Sequence, residues 1–244
     1  MDFGRVFAHI GPELEEVRRR VTHELRPQGA AYMALVEQEL ATSASRLHPA
    51  LVILSARFFH YHPRPVLALA CVLQFIYLAT RIHFFPGERP ALPVLLGDLL
   101  YSKFFSYLCR YHCLEFLAPL AEVICRIHEG GAMRQAGANW HYPECLGLVD
   151  REAALLLREA CRAGARVASA PPDRVEALAD YGFNLGRGWG LLREKVPTRA
   201  WQYFLARARQ SLSHLPLRPE REMLGTLVDA VAALAVETGG VSAG

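Results

Sequence analysis

The sequence predicts an all-α protein, and three observations carry that prediction. Apolar residues return at three- and four-residue spacing along most of the chain. No segment alternates apolar and polar residues in the manner of a half-buried strand, and no turn resembles a hairpin. Proline- and glycine-bearing stretches separate the periodic segments. The 244 residues, 52% hydrophobic and 21% charged, suit a chain with a sizeable core arranged as one large domain or two small ones.

The periodic segments run in order along the chain. Leu14–Leu25 and Ala30–Leu40 repeat apolar residues at helical spacing. His48–His60 and Val66–His83 are long apolar helices joined by a turn at His62-Pro63-Arg64-Pro65. Phe84–Pro93, with three prolines and a glycine, is read as a loop. Val94–Arg110, Leu114–Gln135, Cys145–Ala168, Asp173–Lys195, Thr198–His214 and Pro219–Glu237 complete the set. Asp173 after two prolines is placed as an N-cap, with Glu176 closing a capping box, and Thr198 as the cap of the next helix. The reading is a single helical domain over residues 1–237, its longest helices at the centre, and a disordered Gly- and Ser-containing tail over 238–244.

Several function classes are set aside. The net charge of +3 is spread along the chain without a basic block, which argues against nucleic acid. The first twenty residues carry acidic side chains and no long apolar run, so they do not read as a signal peptide. The six cysteines are expected as reduced thiols in a cytoplasmic protein. Val66–Ile82 is almost uncharged, but it falls short of the ~20 residues of a spanning helix and is bounded by Arg81 and by Pro63 and Pro65; a buried core helix is expected, not a transmembrane segment. Nor is there a Ser-His-Asp order, a phosphate-binding glycine loop or a dinucleotide fingerprint.

Six strings, in order and at compatible spacing, resemble the trans-isoprenyl diphosphate synthase (polyprenyl synthetase) family. Ser43–Pro49 followed by Leu51–Arg57 is similar to the family's GGKRLRP and its apolar helix. Leu73–His83 resembles the helix that delivers the first aspartate cluster, and Gly97-Asp98-Leu99-Leu100 the GD(Y/F/L)L that opens the next. Cys145–Ala165 resembles YLxxIxxKTAxLxxxACxxGA, Tyr181–Gly186 resembles YGxxLG, and Ala206–Leu234 the terminal helices, including the Leu215-Pro216 break and Arg221. The resemblance implies a helical bundle around a deep central cavity.

It also implies a reaction: ionisation of an allylic diphosphate, with Mg²⁺ held between two DDxxD clusters. Mg²⁺ is a hard cation that takes carboxylate oxygens and substrate phosphates. Here the first cluster position reads Phe84 and Phe85, with only Glu88 as a carboxylate. The second reads Arg193, Glu194 and Pro197, so a cation stands where the metal needs an anion. The diphosphate-binding positions are altered as well. Ser45 and His48 stand for a Lys and an Arg of GGKRLRP, Arg46 alone survives, Tyr77 replaces a His or Gln, and Glu152 and Ala153 replace the KT pair. The loop Gly87–Ala91 and the segment after Lys195 are shortened.

With these replacements the resemblance implies a pseudoenzyme, with no catalytic or metal-binding residue expected in this chain and Mg²⁺ expected only in a catalytic partner. The leading expectation is a non-catalytic or regulatory subunit of a heteromeric polyprenyl diphosphate synthase, in isoprenoid or quinone side-chain biosynthesis, its partner an intact synthase subunit or a second copy. Two alternatives stay open: a protein binding an isoprenoid or other neutral lipid-like ligand in the old cavity, and a weak Mg²⁺-dependent prenyltransferase using Glu88 and Glu194. Among other groupings, Cys109 and Cys113 at i, i+4, with His112 and His128, are read as packed side chains before a zinc site or a subunit contact. His83 is expected at the core or pocket lip and Asp98 as a helix N-cap or structural partner. Phe58, Phe59, Phe104, Phe105 and Tyr107 are read as core before prenyl tunnel.

Overall fold

The computed structural model describes residues 3–26, 29–84, 91–137, 141–196 and 198–239, with backbone only at 31, 198 and 235–239. These residues contain no strand. Twelve α-helices follow one another: α1 (Phe3–His9), α2 (Gly11–Leu25), α3 (Ala30–Leu40), α4 (Ser43–Arg57), α5 (Pro63–His83), α6 (Ala91–Arg110), α7 (Leu117–Gln135), α8 (Tyr142–Val149), α9 (Leu155–Val167), α10 (Pro172–Arg193), α11 (Thr198–Ser211) and α12 (Pro219–Gly239). A π-helical turn, Asp150–Ala154, joins α8 to α9 without a break.

Local chemistry sets the ends. Thr42 caps α4, its side chain accepting from the Ser45 N–H at 3.2 Å. α5 opens on Pro63, whose missing N–H has no intrahelical partner at that position anyway. His141 and Glu144 form a capping box at the start of α8. Three helices close on left-handed residues that are not glycine: His112 (φ 57°), Ser169 (φ 58°) and Lys195 (φ 55°). Each sits in a Schellman turn; after α9, Ala170 N–H reaches Ala165 O at 3.0 Å and Ser169 N–H reaches Arg166 O at 2.9 Å.

Several boundary expectations are corrected, and Thr198 is the first residue of α11 and not its cap. α1 is not visible as a periodic segment, because seven residues hold too few turns; its Val6 and Phe7 are buried. α4 begins at Ser43 rather than His48, with Pro49 inside it. α6 begins at Ala91 rather than Val94, since Pro93 is tolerated in a first turn. Asp173 is not an N-cap: Pro171 holds that position without a side-chain cap, and Glu176 turns to Arg162 at 3.1 Å instead of closing a box. α12 runs through Thr238 and Gly239, two residues into the expected tail; residues 240–244 lie outside the described residues.

The buried residues form one cluster around α4, α5, α9 and α10. In α5, every residue from Val66 to Ala79 is buried, as expected for a helix that is apolar all round. It is the only described helix long and apolar enough to cross a membrane, and 83% of its apolar window is buried inside the bundle. α10 lies tightly on α9 and the π turn. Built onto Gly182, a Cβ would stand 2.4 Å from Leu157 O, and onto Gly186, 2.5 Å from Ala154 Cα. Between those glycines' turn and α12, the fully buried Tyr181 donates its hydroxyl to Leu224 O at 2.8 Å. The YGxxLG-like string is therefore a packing device: two small residues for backbone approach and one tyrosine anchor.

Candidate functional site

Helices α4, α5, α7 and α10 and the α8–α9 run converge on a cavity of about 390 Å³, within the range of small-molecule sites. α4 brings His48; α5 brings Tyr77, Thr80 and Arg81, and Phe84 follows it; α7 brings Ile127 and Arg134; the α8–α9 run brings Val149, Glu152, Ala153 and Leu156; α10 brings Trp189 and Arg193, with Glu194 just beyond. A second cavity of about 260 Å³ shares Tyr77, Arg81, Trp189 and Arg193 as its wall.

The mouth is crossed by a single guanidinium. Arg134 donates to both oxygens of Glu152, through Nε at 2.9 Å and Nη2 at 2.7 Å, and through Nη2 to Glu194 at 2.7 Å. The bonds to Glu152 and Glu194 raise the Arg134 pKa above the ordinary guanidinium value, so it stays charged. Glu152 is aimed there by the π turn, whose extra residue rotates the side chains of that stretch relative to α8. Arg187 pins the turn by a two-bond pair with Asp150 at 2.7 and 2.8 Å, while its guanidinium lies over the Phe183 ring at 4.2 Å.

His48 is buried and packs on Tyr77 with ring centroids 4.6 Å apart. Burial drives its pKa down to about 3, so a neutral imidazole stands at this wall. Arg193 stands over the Trp189 ring at 5.6 Å and has no ion-pair partner among the described residues. Arg81 reaches Glu39 at 3.3 Å. Phe84 packs its ring against Gly131, where a Cβ would come within 2.0 Å of it.

Of the twelve positions singled out in the sequence, seven line this cavity: Phe84, Arg193, Glu194, His48, Tyr77, Glu152 and Ala153. Two do not. Ser45 Oγ donates to Leu40 O and Thr42 O at 3.1 and 2.9 Å, and Arg46 stands near the Phe7 ring at 6.0 Å; both border a smaller cavity of about 110 Å³. Phe85, Glu88 and Pro197 lie outside the described residues. Arg134 is missed by sequence reading, and nothing in one sequence marks it: it is one arginine in the last turn of α7, where basic residues are ordinary.

The secondary groupings resolve physically. α6 stops at Arg110 and the chain reverses at His112, so Cys109 and Cys113 do not share a helix face; Cys109 is exposed and Cys113 buried. No group of three or more metal-type ligands occurs among the described residues. Asp98 lies mid-helix in α6 rather than at a cap and faces His83 Nε2 at 3.3 Å. Gly97 makes room for the His83 ring, whose Cδ2 would be 1.6 Å from an added Cβ. Phe58, Phe104 and Tyr107 are core, Phe59 packs against the core and Phe105 is half exposed; none lines the cavity.

No family model matches the chain. A polyprenyl synthase from Caulobacter crescentus CB15, solved with calcium and isoprenyl diphosphate, superposes with a TM-score of 0.82 at 23% identity, covering 94% of this chain and 98% of that one. In sequence, the geranylgeranyl diphosphate synthase of Methanosarcina mazei is 26% identical over 189 residues, covering 68% of this chain and 58% of that protein. The chain's homologues and structural neighbours are trans-isoprenyl diphosphate synthases. Component 2 of the heptaprenyl diphosphate synthase of Geobacillus stearothermophilus is likewise 26% identical, over 196 residues covering 70% of this chain and 58% of that one. A mint heterotetrameric geranyl pyrophosphate synthase, in a deletion mutant with ligands, superposes at a TM-score of 0.68 with 14% identity, covering 89% and 98%. The matched stretch thus spans under three fifths of these two curated relatives, 58% in each.

Proposed function

We propose that this chain is a non-catalytic or regulatory subunit of a heteromeric polyprenyl diphosphate synthase, cytoplasmic and acting in isoprenoid or quinone side-chain biosynthesis as a single helical domain over residues 1–237. The observation that carries the reading is the Arg134 bridge across the cavity mouth. Mg²⁺ needs free carboxylate oxygens in an octahedron. Glu152 and Glu194 already give oxygens to one guanidinium, and Arg193, a further cation, lines the same cavity. These residues do not fit the ion. The packing seam between α9 and α10 is kept while the polar wall is replaced, which fits a chain selected for its shape and not for turnover.

Its partner is a catalytic subunit with intact aspartates, or else a second copy of this chain; two of the similar proteins are themselves described as parts of multi-component synthases. Co-expression with an intact synthase tests the proposal. A stable complex with changed product chain length is expected, and free chains with unchanged products overturn it. Residual activity through Glu88 and Glu194 is disfavoured because Glu194 is held by Arg134. Purified chain given allylic diphosphate, isopentenyl diphosphate and Mg²⁺ should release no pyrophosphate.

A further inference from the structure

The cavity keeps its room but carries a different charge pattern from one that takes a metal-bound diphosphate. Two of its three arginines are committed: Arg134 to Glu152 and Glu194, and Arg81 to Glu39. Arg193 is left facing the cavity with no carboxylate, braced on the Trp189 ring. Near it stands Tyr77, whose pKa burial raises against the lowering influence of a hydrogen bond with Thr42 and of the Arg81 and Arg193 charges, so its hydroxyl stays neutral. Tyr77, Arg81, Trp189 and Arg193 sit where the two cavities meet. Beyond them Phe84, Ile127, Val149 and Leu156 supply apolar stretches of a wall that also holds His48, Thr80 and Gln135.

The geometry points to a binding site for a long-chain carboxylate, its head on Arg193 and the Tyr77 hydroxyl and its chain along the apolar stretches. One unshared guanidinium offsets one negative charge, and its planar fork matches the two oxygens of a carboxylate. An uncharged alcohol leaves that cation unused. A diphosphate brings several charges toward Glu152, Glu194 and Glu39 without metal to neutralise them. The site places a ligand in the same cavity as the ligand-binding alternative but selects an anion in place of a neutral molecule, and it does not depend on a partner subunit.

Titration calorimetry on the full chain at neutral pH, with dodecanoate, farnesol and farnesyl diphosphate as probes, tests it. Dodecanoate is expected to bind one per chain and at least about tenfold more tightly than farnesol. Arg193→Gln should remove that preference while leaving farnesol binding unchanged, and because Arg193 is exposed and makes no ion pair the variant should melt like the parent. Arg193→Lys should retain part of the preference. Added salt should weaken dodecanoate only, and Mg²⁺ should improve no probe. Equal binding of dodecanoate and farnesol, a preference that survives Arg193→Gln, or farnesyl diphosphate binding that tightens with Mg²⁺ would each overturn the site. A chain that pairs with a synthase yet ignores dodecanoate loses this site and keeps the subunit reading. One that binds dodecanoate but no partner does the reverse.

Discussion

Helix α10 has two sides that obey different rules. Where it meets α9, Gly182 and Gly186 let backbone touch backbone, and Tyr181 locks the contact to α12. At its C-terminal end, facing the cavity, Trp189, Arg193 and Glu194 sit among charged and half-exposed groups. The seam is set by sterics at a resolution of tenths of an ångström, and almost any exchange there breaks it. The mouth is set by charge balance, which can be satisfied by metal with carboxylates or by a guanidinium between two glutamates. A fold can therefore keep every helix while its polar wall is rewritten.

The largest effect is expected at the seam. Gly182→Val places a Cβ 2.4 Å from Leu157 O and 2.9 Å from Cys161 Sγ, in a place where neither helix can retreat without opening the core. A loss of at least about 3 kcal/mol is expected from overpacking against backbone, read as a fall of ~6–12 °C in the melting temperature of a chain this size. A melt within ~2 °C of the parent would show that α9 and α10 can separate.

The same division explains what could be read from the sequence. Helix periodicity and the small-residue strings are local signals, so α2, α3, α5 and α10 emerge within a few residues of their observed bounds. Tyr181, Gly182 and Gly186 are legible as a string, although their role as a packing seam needs coordinates. The mouth depends on pairs far apart in sequence. Arg134 meets Glu152 at a separation of 18 residues and Glu194 at 60. The π turn that aims Glu152 leaves no compositional mark. Ser45 is misplaced for a related reason: a serine in a first helical turn can satisfy its hydroxyl on nearby carbonyls, so alignment with a lysine does not make it face the cavity.

Acid should separate the cavity wall from the seam next. His48 is neutral in the fold down to about pH 3, while the unfolded chain protonates its histidine near 6.5. Between those values the unfolded state binds the extra proton, so stability rises with pH and is lost on acidification. The slope from this group approaches about 1.4 kcal/mol per pH unit. His48→Phe keeps a ring on Tyr77 and removes the proton, so its urea stability should fall less steeply from pH 6.5 to 4 than that of the parent. Parallel curves would assign the acid sensitivity to carboxylates elsewhere.

At the mouth itself the effect is smaller, because Arg134 is 43% exposed and its glutamates about a quarter exposed. Arg134→Leu leaves Glu152 and Glu194 facing each other without a counter-charge, which should cost about 1 kcal/mol after allowing for solvent screening. Adding Glu152→Gln and Glu194→Gln should recover most of that loss, and the non-additivity measures the bridge. Strict additivity would mean that the three side chains act independently.

The smallest effect gives the cleanest comparison, because one chemical change can be made on both sides. Ser169 closes α9 away from the cavity and Lys195 closes α10 at the mouth, each in a left-handed conformation at φ 58° and 55°. Left-handed backbone costs a residue with a Cβ about 1–2 kcal/mol, offset by glycine's greater freedom in the unfolded chain. Ser169→Gly and Lys195→Gly should therefore each stabilise by about 0.5–1 kcal/mol, or ~1–4 °C in the melt. Backbone strain is the same at both ends, so equal gains place all of the Lys195 effect in the turn. A smaller gain at Lys195 would show its ammonium contributing to the charge balance around Glu194, and raising the salt concentration should then bring the two gains together.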